Sequence, residues 1–196
     1  MLVCKPATKS TLLIEAPFGP SGTIHFRSLD LKKDLNILYQ WVNAPYAQQF
    51  WQLEGSIENL KAVYQPVLKN PNAHSFIGLL DEQLVCQIDC YRVEADELGK
   101  HLRCDPHDVG MHLLMAPLVT PVPGLSRKLM ETFLRYYFSF DQAQRMYAEP
   151  DIYNHKACQL LTKCGFGFVQ NIMLTDKAAS LYLMTRKQFY ATYPTP

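Results

Sequence analysis

HDVGMHLLMAPLVTPVPGLSRK, residues 107–128, changes its local signal three times, and the fold follows from how those changes are read. Over 107–116, apolar Val109, Met111, Leu113 and Met115 alternate with Asp108, Gly110, His112 and Leu114, which predicts a strand. From Pro117 to Gly124 the prolines rule out a helix or a central strand. Then SRKLMETFLRYYF places Leu129, Phe133, Tyr136 and Tyr137 at helical spacing. A strand that opens through a Gly-containing loop onto a helix leaves backbone N–H groups unpaired at the helix start, where an anionic ligand can sit. His112 would then lie close to whatever group that anion carries.

The totals set the frame. A chain of 196 residues is long enough to bury its own core as one domain, 1–196. A net charge of +1 suggests neither nucleic acid nor an anionic membrane as partner. Six cysteines stand at no framework spacing, as expected of reduced thiols in a cytoplasmic protein. MLVCKPATKS lacks the pattern of a signal peptide, and no window approaches the ~18 apolar residues of a membrane span.

In chain order, strands are expected at 10–16 and 23–29, and Asp30 should cap a helix whose stripe is Leu31, Leu35, Leu38 and Val42. Pro45 should end that helix. The aromatic-rich segment that follows, with Trp41 just before it and Tyr46, Phe50 and Trp51 within it, is either a cluster wedged under a loop or one wall of a substrate pocket. Ser56 opens a second helix that Pro66 should kink or shorten. A hairpin follows from residue 73, turning at Asp81–Gln83, then a polar loop over 93–108. After the central strand and helix come a short strand at 144–150, a helix with Asp151 at its N-cap and Gly165 at its stop, and two final strands. This order predicts a mixed α/β sheet with helices on its faces.

His101, Cys104 and His107 suggest zinc only weakly, since a fourth ligand at a standard spacing is missing. No nucleotide-loop or serine-nucleophile motif is present, and no histidine pairs with Cys158 or Cys164 in a nucleophile pattern. His112 gains weight only if a second polar group converges on it. Asp151 offers one if the short strand at 144–150 neighbours the 107–116 strand in parallel.

Five segments carry a resemblance over nearly the whole chain: HFRSLDLKKDLNILYQWVNAPYAQQFW (25–51), DVGMHLLMAPL (108–118), PGLSRKLMETFL (123–134), AEPDIYNHKACQLLTKCGF (148–166) and LTDKAASLYLMTR (174–186). They resemble the GNAT acyltransferases, and more narrowly the hydroxamate-siderophore branch that acylates hydroxylamines of lysine or diamines, the aerobactin, rhizobactin and alcaligin type. The resemblance implies a twisted, mostly antiparallel sheet split at a parallel pair, with helices on both faces. It implies acetyl-CoA or another short acyl-CoA as co-substrate, no metal, and a small hydroxylamine or amine acceptor. Backbone N–H groups of Val122, Gly124, Leu125, Ser126 and Arg127 would hold the CoA pyrophosphate, with Asn154 a further CoA contact. Pro121 and Ser126 depart from the usual loop of that superfamily. His112 and Asp151 would be the catalytic pair, and Trp41, Tyr46, Phe50 and Trp51 are the candidates for the acceptor side. Two other readings remain: an aminoglycoside or protein N-acetyltransferase on the same fold, and a catalytically silent acyl-CoA-binding module.

Overall fold

The computed structural model of the protein describes residues 1–7 and 12–194. Its strands form one eight-stranded sheet in the order β1-β2-β3-β4-β5-β6-β8-β7. The strands are β1 (Ile14–Pro17), β2 (Thr23–Ser28), β3 (Ala73–Leu80), β4 (Gln83–Arg92), β5 (Val109–Met115), β6 (Arg145–Ala148), β7 (Gly167–Met173) and β8 (Ala178–Thr185). The helices are α1 (Leu31–Val42), α2 (Pro45–Trp51), α3 (Ile57–Lys69), α4 (Leu125–Phe138), α5 (His155–Lys163) and α6 (Arg186–Thr192). Every strand pair is antiparallel except β5–β6, the split parallel pair expected above. Part of the first predicted strand, residues 10 and 11, lies outside the described residues.

Strand alternation divides the core. Val109 and Met111 of β5 point with Cys86, Ile88 and Cys90 of β4 into a cluster closed by Leu129, Phe133 and Tyr137 of α4, Leu161 of α5 and Phe189 of α6. The opposite face is covered in two pieces. Leu38 and Trp41 of α1 and Leu60 and Tyr64 of α3 pack on Ile77, Leu79 and Leu114. Further along, Val93 and Leu98 of the 93–108 segment pack on Tyr147, Ala179 and Leu181. The seam between these two covers is where the site lies.

Local chemistry explains most element ends. The Asp30 side chain accepts from the Lys32 amide at 3.1 Å and caps α1, and Ser56 caps α3 through the Asn59 amide at 3.1 Å. Asp34 is buried on the core side of α1 because both its oxygens are taken by the Arg27 guanidinium of β2, each at 2.7 Å.

Four expectations are corrected. The aromatic-rich residues 45–51 are themselves a helix and not a cluster under a loop, with Pro45 at its first turn, where the missing N–H costs nothing. Pro66 does not shorten α3; it and Ala62, whose carbonyl it leaves without a donor, are both on the exposed face, where that carbonyl is open to solvent. The cap of α5 is Asn154, whose side chain accepts from the Ala157 amide at 3.1 Å, and not Asp151. The last strand stops at Thr185, where a capping box with Gln188 starts α6.

Candidate active site

β5 is bonded along its whole length to β4, from Val109 opposite Arg92 to Met115 opposite Cys86. On its other edge it meets β6 only at Val109 and Gly110. The Arg145 guanidinium clamps that short contact, donating to both oxygens of buried Asp108 at 2.8 and 2.7 Å and also to Asp105. Beyond Ala148 the chain leans away: Pro150 cannot extend the ladder, its carbonyl accepts from Ser180 of β8 at 2.9 Å, and Asp151 bridges to Ala179. β5 and β6 therefore part.

The Ala116 amide donates to Val85 and the Val93 amide to Asp108, so even-numbered positions of this strand face β4. By alternation, the N–H groups of Met111 and Leu113 point into the gap. Tyr46 closes its far end, donating to the Met115 carbonyl at 2.5 Å, and burial pushes its hydroxyl up to about 12.

His112 stands at the mouth of this gap, and the carboxylate bonded to it is Glu149, not Asp151. The distance from Nε2 to Glu149 Oε1 is 2.6 Å, and Tyr91 OH donates to the same oxygen at 2.6 Å. The Asp151 carboxylate instead accepts from the Tyr153 amide at 2.8 Å. Register is the reason. With Val109 level with Met146 and Gly110 level with Tyr147, continuation puts His112 level with Glu149, two residues before Asp151. Gly110 makes the Tyr91 contact possible: a Cβ there would sit 2.1 Å from the Tyr91 ring.

Glu149 is buried, whereas the His112 side chain is 41% exposed. Burial disfavours charge on His112, but the Glu149 charge and hydrogen bond outweigh it and hold the imidazole pKa above its usual value. Burial likewise opposes charge on Glu149; His112 and Tyr91 overcome it, keeping the carboxyl below its usual range. With a carboxylate on Nε2, that nitrogen carries the proton. Nδ1 bonds to nothing among the described residues and is left as an acceptor.

Beside His112 lies a cavity of about 340 Å³ lined by Trp51, Tyr64, Asp89, Tyr91, Arg92 and Asp96, among others. The Trp51 ring meets the imidazole edge to face at 6.2 Å. Of the four aromatic candidates, Trp51 alone lines this cavity. Trp41 is in the α1–α3 core, Tyr46 is at the end of β5, and Phe50 is half-buried outside the cavity.

The loop before α4 has the expected form. Gly124 sits at φ 79°, a left-handed conformation that glycine adopts without strain, and no side chain caps the helix. The Leu125 amide donates to Val122 at 3.2 Å. The amides of Ser126 and Arg127 have no partner among the described residues, so they remain open to an anion. Asn154 has its carbonyl oxygen engaged at the start of α5.

Residues 30–174 match the family model described as the acetyltransferase (GNAT) domain. The chain belongs to this family. Among its relatives are the N(6)-hydroxylysine O-acetyltransferase of Escherichia coli, 26% identical over 85% of this chain, and the N-hydroxyputrescine acetyltransferase of Acinetobacter baumannii, 25% identical over 84% of it. The chain spans about half of the first (53%) and 78% of the second. An uncharacterised Bacillus halodurans protein superposes with a TM-score of 0.82 at 24% identity, covering 87% of this chain and 88% of its own. The aminoglycoside acetyltransferase AAC(6')-Ib with coenzyme A gives 0.79 at 22%, covering 86% and 98%.

In this GNAT domain the groups around His112 that sequence reasoning missed are Glu149, Tyr91 and Asp89. Glu149 stands within the EPD string that supplied Asp151, and only strand register separates the two. Tyr91 and Asp89 gave no signal of their own, since with Gln87 they are the polar half of an ordinary strand alternation against Cys86, Ile88 and Cys90. No group of three His, Cys, Asp or Glu able to hold a metal occurs among the described residues. No described helix is long and apolar enough to cross a membrane.

Proposed function

We propose that this GNAT domain transfers an acyl group from acyl-CoA, acetyl-CoA in the first instance, to the nitrogen of an N-hydroxylated lysine or diamine, forming a hydroxamate of the siderophore type. The observation that carries the reading is the half-exposed His112, held at Nε2 by Glu149 with Nδ1 free, at a strand opening beside a cavity. The names of the E. coli and A. baumannii relatives support the acceptor class.

The pyrophosphate rests on the open amides of Ser126 and Arg127, within the Val122–Arg127 turn, with Asn154 beside it, and the thioester arm runs into the gap between β5 and β6. The acceptor nitrogen attacks the thioester carbonyl, and the N–H groups of Met111 and Leu113 stabilise the oxyanion. His112 Nδ1 takes the proton that the nitrogen loses as the C–N bond forms. The C–S bond then breaks, and the thiolate takes a proton from the imidazolium. Glu149 stabilises that imidazolium throughout. A hydroxylamine suits this site because it is largely neutral at neutral pH, whereas an alkylamine of pKa near ~10.4 is mostly protonated. Asp151, half-buried in the segment that follows β6, is assigned to the acceptor N–OH at the rim.

The test is thiol release from acetyl-CoA with a panel of hydroxylamines, plain amines and aminoglycosides. Turnover of hydroxylamines, lost in His112→Ala while CoA still binds, is the expected result. Turnover confined to plain amines or aminoglycosides would overturn the acceptor class, and CoA binding with no turnover at all would favour the silent module.

A further inference from the structure

Asp89 lies directly across β4–β5 from His112, and it lines the same cavity. Its Oδ1 accepts from Ser75 at 2.5 Å and from Gln87 at 2.8 Å; its Oδ2 accepts a single bond, from Tyr64 at 3.1 Å. A carboxylate has about four acceptor positions, so one direction from Oδ2 stays open. Among the described residues no lysine or arginine pairs with Asp89. Burial raises its pKa despite those hydrogen bonds and the nearby His112 charge. A carboxylate removed from water without a cation is costly, and a ligand that supplies the cation recovers that cost on binding.

The rest of the wall shares this polarity. Asp96 stands at the exposed edge, and Trp51 offers an aromatic ring to a cation. Besides His112, Arg92 is the one basic side chain of the lining: its terminal nitrogens pair with Glu94 and reach Asn72 at 3.4 Å, and its Nε is buried without a partner among the described residues. With both terminal nitrogens engaged and Nε buried, the fork is not free for the paired hydrogen bonds of a carboxylate ligand.

We propose that Asp89 binds the distal ammonium of the acceptor, and that the acceptor is a mono-N-hydroxylated aliphatic diamine, not an amino acid. The proposal rests on the acyl-transfer reading above and narrows it. The hydroxylamine nitrogen sits at His112 Nδ1, the methylene chain lies along Trp51, and the ammonium meets Asp89 Oδ2. The α-carboxylate of an N-hydroxylated lysine would face Asp89 and Asp96 instead of a free guanidinium.

The experiment compares N-hydroxyputrescine, N-hydroxycadaverine, N-hydroxylysine and the uncharged N-pentylhydroxylamine in the thiol-release assay. A charge-assisted hydrogen bond predicts that the wild type prefers the hydroxydiamines to the uncharged analogue by about tenfold to a hundredfold in kcat/KM. Asp89→Asn should raise KM for the hydroxydiamines and collapse that preference, while KM for the uncharged analogue stays as in the wild type. Equal use of the uncharged analogue by the wild type, or a preference for N-hydroxylysine, overturns the proposal and leaves hydroxylamine acylation standing. If no hydroxylamine turns over, the acyl-transfer reading is what fails. Calorimetric binding of 1,4-diaminobutane to wild type and Asp89→Asn, each with CoA, then decides the cation site: binding lost in the variant upholds it, and equal or absent binding overturns it.

Discussion

Replacing Glu149 by Gln perturbs one charge in the site and almost nothing else. The amide has the shape of the carboxylate and can still accept from Tyr91, so the fold around it is preserved. What disappears is the attraction between a carboxylate and the imidazolium formed when His112 takes a proton. With Nε2 at 2.6 Å from Oε1, the two charge centres lie close enough for the pair to matter. At about 4 Å and an effective dielectric constant of about 20, two unit charges attract by about 4 kcal/mol. The imidazole is 41% exposed. Solvent therefore removes roughly half, leaving about 2 kcal/mol, or about thirtyfold in rate. An amide turned to donate to Nε2 would force the proton onto Nδ1 and deepen the loss.

The pH dependence has a definite sign. Glu149 raises the His112 pKa, so wild-type activity should climb with pH through a midpoint above the usual imidazole value, and Glu149→Gln should move that limb to lower pH. Stability follows the same pair. Its contribution is present at intermediate pH, lost as pH rises through the raised His112 value and lost as pH falls through the lowered Glu149 value. Thiol release against pH, with melting curves across the same range, reads all three effects. An unmoved limb with a wild-type plateau would refute a charged Glu149–His112 pair.

Other perturbations separate the remaining roles. Gly110→Ala puts a methyl group 2.1 Å from the Tyr91 ring, so Tyr91 must leave Glu149; stability should fall by about 1–3 kcal/mol in urea titration and kcat should fall with it, while CoA affinity holds. Arg145→Ala leaves buried Asp108 without its partner and should cost about 3 kcal/mol in the same titration, the largest stability loss of the set. Asn154→Ala removes the α5 cap and should cost about 1 kcal/mol by thermal unfolding. Asp151→Asn should lower kcat/KM for the hydroxylamine acceptor and shift the melting temperature little; an unchanged kcat/KM removes Asp151 from the acceptor rim.

The local elements were legible because their causes are local. Alternation over Val109–Met115, the prolines before Gly124 and the side-chain caps at Asp30 and Ser56 act within a few residues, so the strand, the loop and the helix starts could be read directly. The signals for α2 and α6 are also local, a proline at a first helical turn and a Thr185–Gln188 capping box. Which carboxylate faces His112 is a different kind of question. Glu149 and Asp151 are equally acidic and two residues apart, and the choice depends on the parallel register of β6 against β5 and on Pro150 turning the chain toward β8. Neither is encoded within either segment alone, since register emerges when two distant strands and the Arg145–Asp108 clamp assemble together. The chain by itself therefore determined that a histidine-bearing strand opens through a glycine loop onto a helix start with free amides. Only the tertiary structure decided that Glu149 holds that histidine and that Asp89 stands across the strand pair from it, with no lysine or arginine partner among the described residues.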